Sequence, residues 1–444
     1  MHKRSRQIMF LIGLFSMTEI YIGGFIAISE LVLFAYAPFV FLKDFRIIKK
    51  DGFMLFIALS ILTILGCVVA SLYNHTPFPF ALKGLSATYG LFAVVVCMHR
   101  ILRQDFNVVG SFFIGYALSI CINIFMFQRG SMRSGGDFAL VSAVAQTSTL
   151  SGVLFWADRL PHWLYLPIRS WYTAVPKVYA VSASLCVAAA CLFMSGGSGR
   201  AATICALGTF AFLCVGGGTV GDLQRLKKHV IVALLFVLGI LMLGKMSYQY
   251  CAKKGILGES SARKLAVQSR HGEDLLSLLM AGRSEFFAGI YCALKNPILG
   301  YGPWAIDKNG VAAGFIYAYG DPEDYESYMR SINGQTRKLP VIPSHSCIVC
   351  FWTWYGIFGL VLWLYILMLY LITITKSFVC YVPWFGCVAT ILPTAVWDAL
   401  FSPYGNRVMV GLFLTMCLYL KAVYDRKVPV GGFRLYDKAR GGWY

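Results

Sequence analysis

Apolar runs of about 17 to 25 residues recur from Ile8 to Val423, each long enough to cross a hydrocarbon core of about 30 Å as a helix. The runs predict spans over 8–24, 27–42, 52–73, 81–98, 107–127, 140–157, 178–196, 201–217, 229–247, 354–375, 378–396 and 407–423. They are continuously apolar and do not alternate in facing, which excludes a β-barrel. The expected fold is therefore an all-α polytopic membrane protein with about twelve transmembrane helices. One polar interval interrupts the pattern, from about 248 to 344. Within it, "SARKLAVQSRHGEDLLSLLMAGRSEFFAGIYCALKNP" has apolar residues at helical spacing, and Pro297 ends that pattern before the Gly-rich turn "NPILGYGPW". A loop this long with its own helical pattern is expected to form a folded lid beside the bilayer.

Composition supports this reading, with 58% hydrophobic and 13% charged residues, too little polar surface for a soluble protein of 444 residues. The net charge of +19 raises nucleic acid, anionic lipid and anionic substrates as partners. Its distribution decides against nucleic acid. Placing the N-terminus in the cytoplasm puts Lys3/Arg4/Arg6, Lys43 to Lys50, Arg100/Arg103, Arg159 to Lys177, Arg225 to Lys228, Lys376 and Lys421 to Arg440 on the inner side. These short segments hold 22 of the 39 Lys and Arg, so the charge follows membrane topology. The expected organisation is nine spans over 1–247, a periplasmic loop over 248–344, three spans over 345–423 and a cytoplasmic tail over 424–444. The basic start "MHKRSRQIMFLIGLF" has no small-x-small cleavage site after it and reads as an uncleaved first span. Of fourteen cysteines nearly all fall within apolar runs, and only Cys251 and Cys292 lie in a clearly polar region, as two unrelated thiols or a pair.

Three basic residues stand out on the predicted outer side. His345 opens "HSCIVCFWTWYGIFG", where Gly356 and Gly359, three apart, leave one helical face bare enough for another backbone to approach. A histidine at a membrane interface is often only an interfacial group, but a neutral imidazole there can also accept a proton from a sugar hydroxyl. Arg200, in "MSGGSGRAATICALG", sits among small residues that would let a phosphate approach both backbone and guanidinium. Arg283, in "MAGRSEFFAGIY", reads either as a solvated residue paired with Glu285 or as a second anion clamp. Two guanidiniums on a diphosphate would each give charge-assisted hydrogen bonds of roughly 1.5 to 3 kcal/mol. Arg263 and Arg270 are weaker candidates for substrate binding, and Asp398, with Arg407 at the last outer turn, is structural, catalytic or substrate-binding. Cys347-x-x-Cys350 lacks a second pair and reads as core packing, and "GGGTVGD" lacks the Lys-Ser/Thr ending of a nucleotide loop. No metal motif and no cofactor motif is visible.

With these residues in place the chain resembles the bacterial O-antigen ligase family, within the ligase and polymerase superfamily that acts on polyprenyl-diphosphate-linked glycans. The likeness rests on "GGSGRAAT", "GRSEFFAGIYCALKNPILGYG" and "HSCIVCFWTWYGIFG", all in the second half, and on the span count with one large outer loop. The family pattern is histidine, then most often asparagine, nine residues, and Gly-x-x-Gly; here Ser346 follows the histidine. The resemblance implies an inverting, metal-independent glycosyl transfer at the periplasmic face of the inner membrane, without cofactor. The donor it implies is undecaprenyl diphosphate carrying a glycan, and the acceptor a sugar hydroxyl of lipid A-core. Catalytic roles carry over to His345, Arg283 and Arg200. A polymerase joining lipid-linked repeats, or a protein O-glycosyltransferase, would carry much the same motifs. A transporter or lipid flippase would need paired short spans or a charge-lined path, and the chain has neither.

Overall fold

The computed structural model describes residues 2–16, 19–21, 25–104, 249–256, 283–320, 341–343, 345–377, 395–402, 436–437 and 442–443, with isolated residues between them. The described chain is mainly helical. Its elements are α1 (His2–Leu14), β1 (Glu19–Tyr21), β2 (Phe25–Ala27), α2 (Ile28–Lys50), α3 (Met54–Tyr73), α4 (Phe78–Gln104), α5 (Ser284–Lys295), α6 (Val311–Tyr319), α7 (Cys347–Tyr355), α8 (Ile357–Ser377), β3 (Tyr436–Asp437) and β4 (Gly442–Trp443). Met54–Tyr73 and Phe78–Arg103 are long and apolar enough to cross a membrane. The expected spans between 107 and 247, and those over 378–396 and 407–423, lie largely outside the described residues.

The start of the chain departs from the expected run of helix over 8–24. Helix α1 stops at Leu14, about 20 Å long at 1.5 Å per residue, and β1 pairs antiparallel with β2, Tyr21 opposite Phe25. The sequence explains the change: "EIYIGGFIA" sets β-branched and aromatic residues on both sides of a Gly-Gly, which is hairpin chemistry rather than helix chemistry. The two strand pairs are the only departures from helix among the described elements.

Helices α2, α3 and α4 form a bundle whose two ends are built differently. At one end the basic segments meet their acids: Arg100 donates to Asp44 at 2.8 Å, and the His99 ring lies 3.0 Å from the buried Asp51 carboxylate. A charge at this depth is held only where it has a partner. The other end, some 30 Å away along the twenty residues of α3, receives the loop around Gly300 and the C-terminal end of α7. There Asn74 donates to the Gly300 carbonyl at 3.2 Å, and the Tyr355 hydroxyl donates to the Gly84 carbonyl at 2.9 Å. Helix α8 returns antiparallel to α3, since Phe358 packs on Gly66 and Tyr365 on Phe56.

The expected continuous helix over 354–375 is two helices. Helix α7 ends at Tyr355, Gly356 takes φ 61° and ψ −144°, and α8 starts at Ile357. That conformation is open only to glycine without strain. Breaking a helix strips partners from the carbonyls before the break and the N–H groups after it. The loop supplies them: Tyr301 N–H donates to Thr353 O at 2.8 Å, Gly302 N–H donates to Trp354 O at 3.0 Å, and Ile357 N–H donates to Ile298 O at 3.2 Å. A Cβ on Gly356 would overlap the Ile298 carbonyl, and one on Gly300, itself at φ 71°, would come within 2.8 Å of the Gly356 nitrogen and the Thr353 and Trp354 carbonyls. Another backbone does approach at these glycines, but at a break and not along a continuous helical face. Gly359 serves the fold-back itself, because a Cβ there would run into the Phe351 carbonyl of α7.

The loop has its own small apolar core of Ala288, Cys292, Ala305, Ala312, Ile316, Tyr328 and Ile342, separate from the bundle core. Asp307 starts α6 by accepting from the N–H groups of Val311 and Ala313 at 2.8 and 2.9 Å. Trp304, held at φ 52°, lies 4.3 Å from Trp354 ring to ring and fastens this unit to α7.

Gly356→Ala and Gly300→Ala should each destabilise the protein by more than the roughly 1 to 3 kcal/mol of backbone strain alone, because both also meet backbone atoms. Gly314→Ala, in open space inside α6, should be neutral or stabilising by about 0.5 to 1 kcal/mol. Thermal unfolding of the three variants checks this; equal midpoints for all three would contradict the clamp.

Candidate active site

Helix α5 carries a face of small buried residues, Ser284, Ala288, Gly289, Cys292 and Ala293, that admits α7 at short range. Thr353 donates its hydroxyl to the Gly289 carbonyl at 3.3 Å, and a Cβ on Gly289 would fall 2.8 Å from Val349. This approach sets the first turn of α5 beside the first turn of α7. Arg283 is the N-cap of α5 and Glu285 lies in its first turn, where the helix dipole favours a carboxylate. His345 and Ser346 lead into α7.

The candidate His345 thus meets an acid from the first turn of α5. His345 Nε2 is in direct contact with the Glu285 carboxylate, with the two side chains 46% and 31% exposed, so the pair is open to a solute. Glu285 therefore pairs with the histidine and not with Arg283, the partner that sequence spacing offered. The Arg283 guanidinium instead lies over the rings of Trp397 at 5.5 Å and Phe401 at 5.7 Å. These rings are 4.8 Å apart on the helical segment 395–401, and Phe401 also meets Phe286 at 5.7 Å. The rings give the guanidinium a cation–π seat, and among the described residues it has no carboxylate or carbonyl hydrogen-bond partner. Burial holds Arg283 below the ordinary arginine value, and the Glu285 charge acts in the opposite sense. A half-buried cation without a carboxylate partner is suited to an anion, and phosphate oxygens match its fork.

Ser346 joins the start of α7 to the segment 395–402. Its hydroxyl accepts from Val349 N–H at 3.3 Å as the N-cap of α7 and donates to the Ala399 carbonyl at 3.2 Å. Asparagine and serine are among the best N-cap residues, so the serine fills a role that asparagine fills equally well. The Cys347 thiol reaches the Ser402 carbonyl at 3.5 Å, and Cys347 and Cys350 are both buried in the bundle core. Asp398, on the same segment as Trp397, is 3% exposed and sits inside the wall of the site. Arg200, Arg263, Arg270 and Arg407 lie outside the described residues. Among the described residues no group of three or more His, Cys, Asp or Glu is arranged to hold a metal ion.

The sequence offered no direct sign of Trp397 and Phe401 as the seat of Arg283. Their i, i+4 spacing was legible, but which partner they faced required the loop to be folded back. Comparison with known proteins gives no matching family model, no similar curated protein and no similar solved structure.

Ser346→Ala should cost about 0.5 to 2 kcal/mol and Ser346→Asn much less, read from unfolding midpoints; an asparagine variant as weak as the alanine one would rule out the capping role. Cys251 and Cys292 are both free thiols. Burial, with a smaller contribution from Asp307, pushes the Cys292 thiol up to about 12, so maleimide should modify Cys251 well before Cys292 in the folded protein. The native state keeps Cys292 protonated while the unfolded chain ionises at its ordinary value near 9, so this contribution to stability is full below pH 9 and declines between 9 and 12. Comparable labelling of the two thiols would contradict the buried placement.

Proposed function

We propose that the chain is an O-antigen ligase, a membrane glycosyltransferase of lipopolysaccharide biosynthesis. It transfers a glycan from undecaprenyl diphosphate to a sugar hydroxyl of lipid A-core, at the periplasmic face of the bacterial inner membrane. The observation that carries the reading is an exposed His345–Glu285 pair two residues along the chain from a ring-seated Arg283 that has no carboxylate partner among the described residues. A base and an anion clamp are what transfer from a diphosphate requires. Two further features support it. The loop around Gly300 and the C-terminal end of α7 dock at the opposite end of α3 and α4 from the Asp44–Arg100 and Asp51–His99 pairs, which agrees with an outer loop if the basic ends face the cytoplasm. The outer faces of α2 and α3 carry exposed Phe39, Leu42, Leu55, Leu65 and Leu72, which suit lipid better than water.

The reaction then runs as follows. His345 accepts the proton of the acceptor hydroxyl as its oxygen attacks the anomeric carbon of the donor glycan, opposite the diphosphate. The new carbon–oxygen bond forms, the bond to the phosphate oxygen breaks, and its electron pair leaves with undecaprenyl diphosphate, inverting the anomeric centre. Arg283 offsets the charge growing on that leaving group, together with Arg200 in the role that the resemblance assigns it. The diphosphate is a good leaving group, so the reaction needs no metal ion.

Reconstitution with purified lipid-linked glycan, offering either core lipid or a second lipid-linked glycan as acceptor, tests the reading. Core lipid should be glycosylated, His345→Ala should reduce the rate by roughly 10²- to 10⁴-fold, and a chelator should leave it unchanged. Near-normal transfer by the alanine variant would refute the base role, exclusive use of the second donor would make the protein a polymerase, and a magnesium-dependent loss with chelator would end the metal-free version.

A further inference from the structure

We infer that Glu285 is a positioning residue that sets the tautomer and orientation of His345, an inference that rests on the glycosyl transfer proposed above. The observation is the contact of Glu285 with one particular ring nitrogen, Nε2. A carboxylate accepts hydrogen bonds and cannot donate them, so Nε2 carries the hydrogen and Nδ1 is left with the lone pair. Nδ1 is then the nitrogen that takes the proton of the acceptor hydroxyl, and the imidazolium so formed is held against a negative charge.

Three features keep the carboxylate on the histidine. Glu285 lies in the first turn of α5, which the Gly289 approach to Val349 holds against the start of α7. Ser346, the neighbour of His345, is pinned at both its hydroxyl bonds, so the backbone that carries the ring is fixed as well. Arg283, the other cation close by, is occupied with the rings of Trp397 and Phe401 and makes no ion pair with Glu285. One short helical turn thus carries two separate tasks: Arg283 is directed to the anion and Glu285 to the base.

The test uses the full-length protein and two readouts. In the transfer assay Glu285→Ala should lower kcat by about 10- to 100-fold with little change in KM for the lipid-linked donor, and Glu285→Gln, which retains an oxygen able to accept from Nε2, should retain more activity. Independently of activity, diethyl pyrocarbonate should carbethoxylate His345 at least about twofold faster in Glu285→Ala, read by peptide mass spectrometry, because both ring nitrogens are then accessible. An unchanged labelling rate, or an unchanged kcat beside an inactive His345→Ala variant, would overturn the positioning role and leave the transferase reading standing. A fully active His345→Ala variant would overturn both together.

Discussion

Where α7 gives way to α8, the helical ladder is interrupted and the loop backbone takes over its hydrogen bonds. Three main-chain bonds, from Tyr301, Gly302 and Ile357, satisfy groups that a broken helix would otherwise leave unpaired. Unpaired amides in an apolar setting cost several kcal/mol each, so the break exists only because the loop is there, and the loop is held only because the break offers it partners. The two stretches that looked like separate motifs, "NPILGYG" and "HSCIVCFWTWYGIFG", are the two halves of this junction. The site depends on it, because the same docking that brings residues 298–302 to Gly356 carries α5 alongside α7.

The bundle contrasts two ways of closing an end. At the Asp44 and Asp51 end, charges do the work, with each acid matched by a base from α4. At the other end the contacts are backbone carbonyls, hydroxyls and rings. In the candidate site aromatic rings seat the Arg283 guanidinium, whereas a carboxylate partner would have neutralised it. The carboxylate nearest in sequence, Glu285, is drawn away to His345.

Much of this was legible along the chain, and the failures have physical causes. The helices α2, α3 and α4 follow from apolar runs, and α5 ends where Asn296 and Pro297 said it would. His345 and Arg283 stood out as basic residues, and they precede α7 and α5, whose first turns the Gly289 approach sets beside each other. The break at Gly356 was hidden because the stretch from Cys347 to Ser377 is apolar throughout and holds no proline, so periodicity could not distinguish one helix from two. Glu285 was misread as a partner for Arg283 because local spacing sees neighbours in sequence, while His345 is sixty residues away and is reached only through the Gly289 contact. The strands at 19–27 were passed over because their β-branched residues are also apolar enough to continue a membrane run.

A junction made of main-chain atoms is almost indifferent to the side chains around it. Ile298 contributes a carbonyl and Tyr301 an amide at the clamp, which most residues supply, and Gly300, Gly302 and Gly356 are restricted in identity by a positive φ and by crowding. The mutational burden of the whole outer assembly is thereby concentrated on a few positions where a single added methyl is forbidden. Between those points the chain is free to drift in composition, and a protein of this architecture can change the side chains around its candidate site extensively without rebuilding the frame that brings Glu285 to His345.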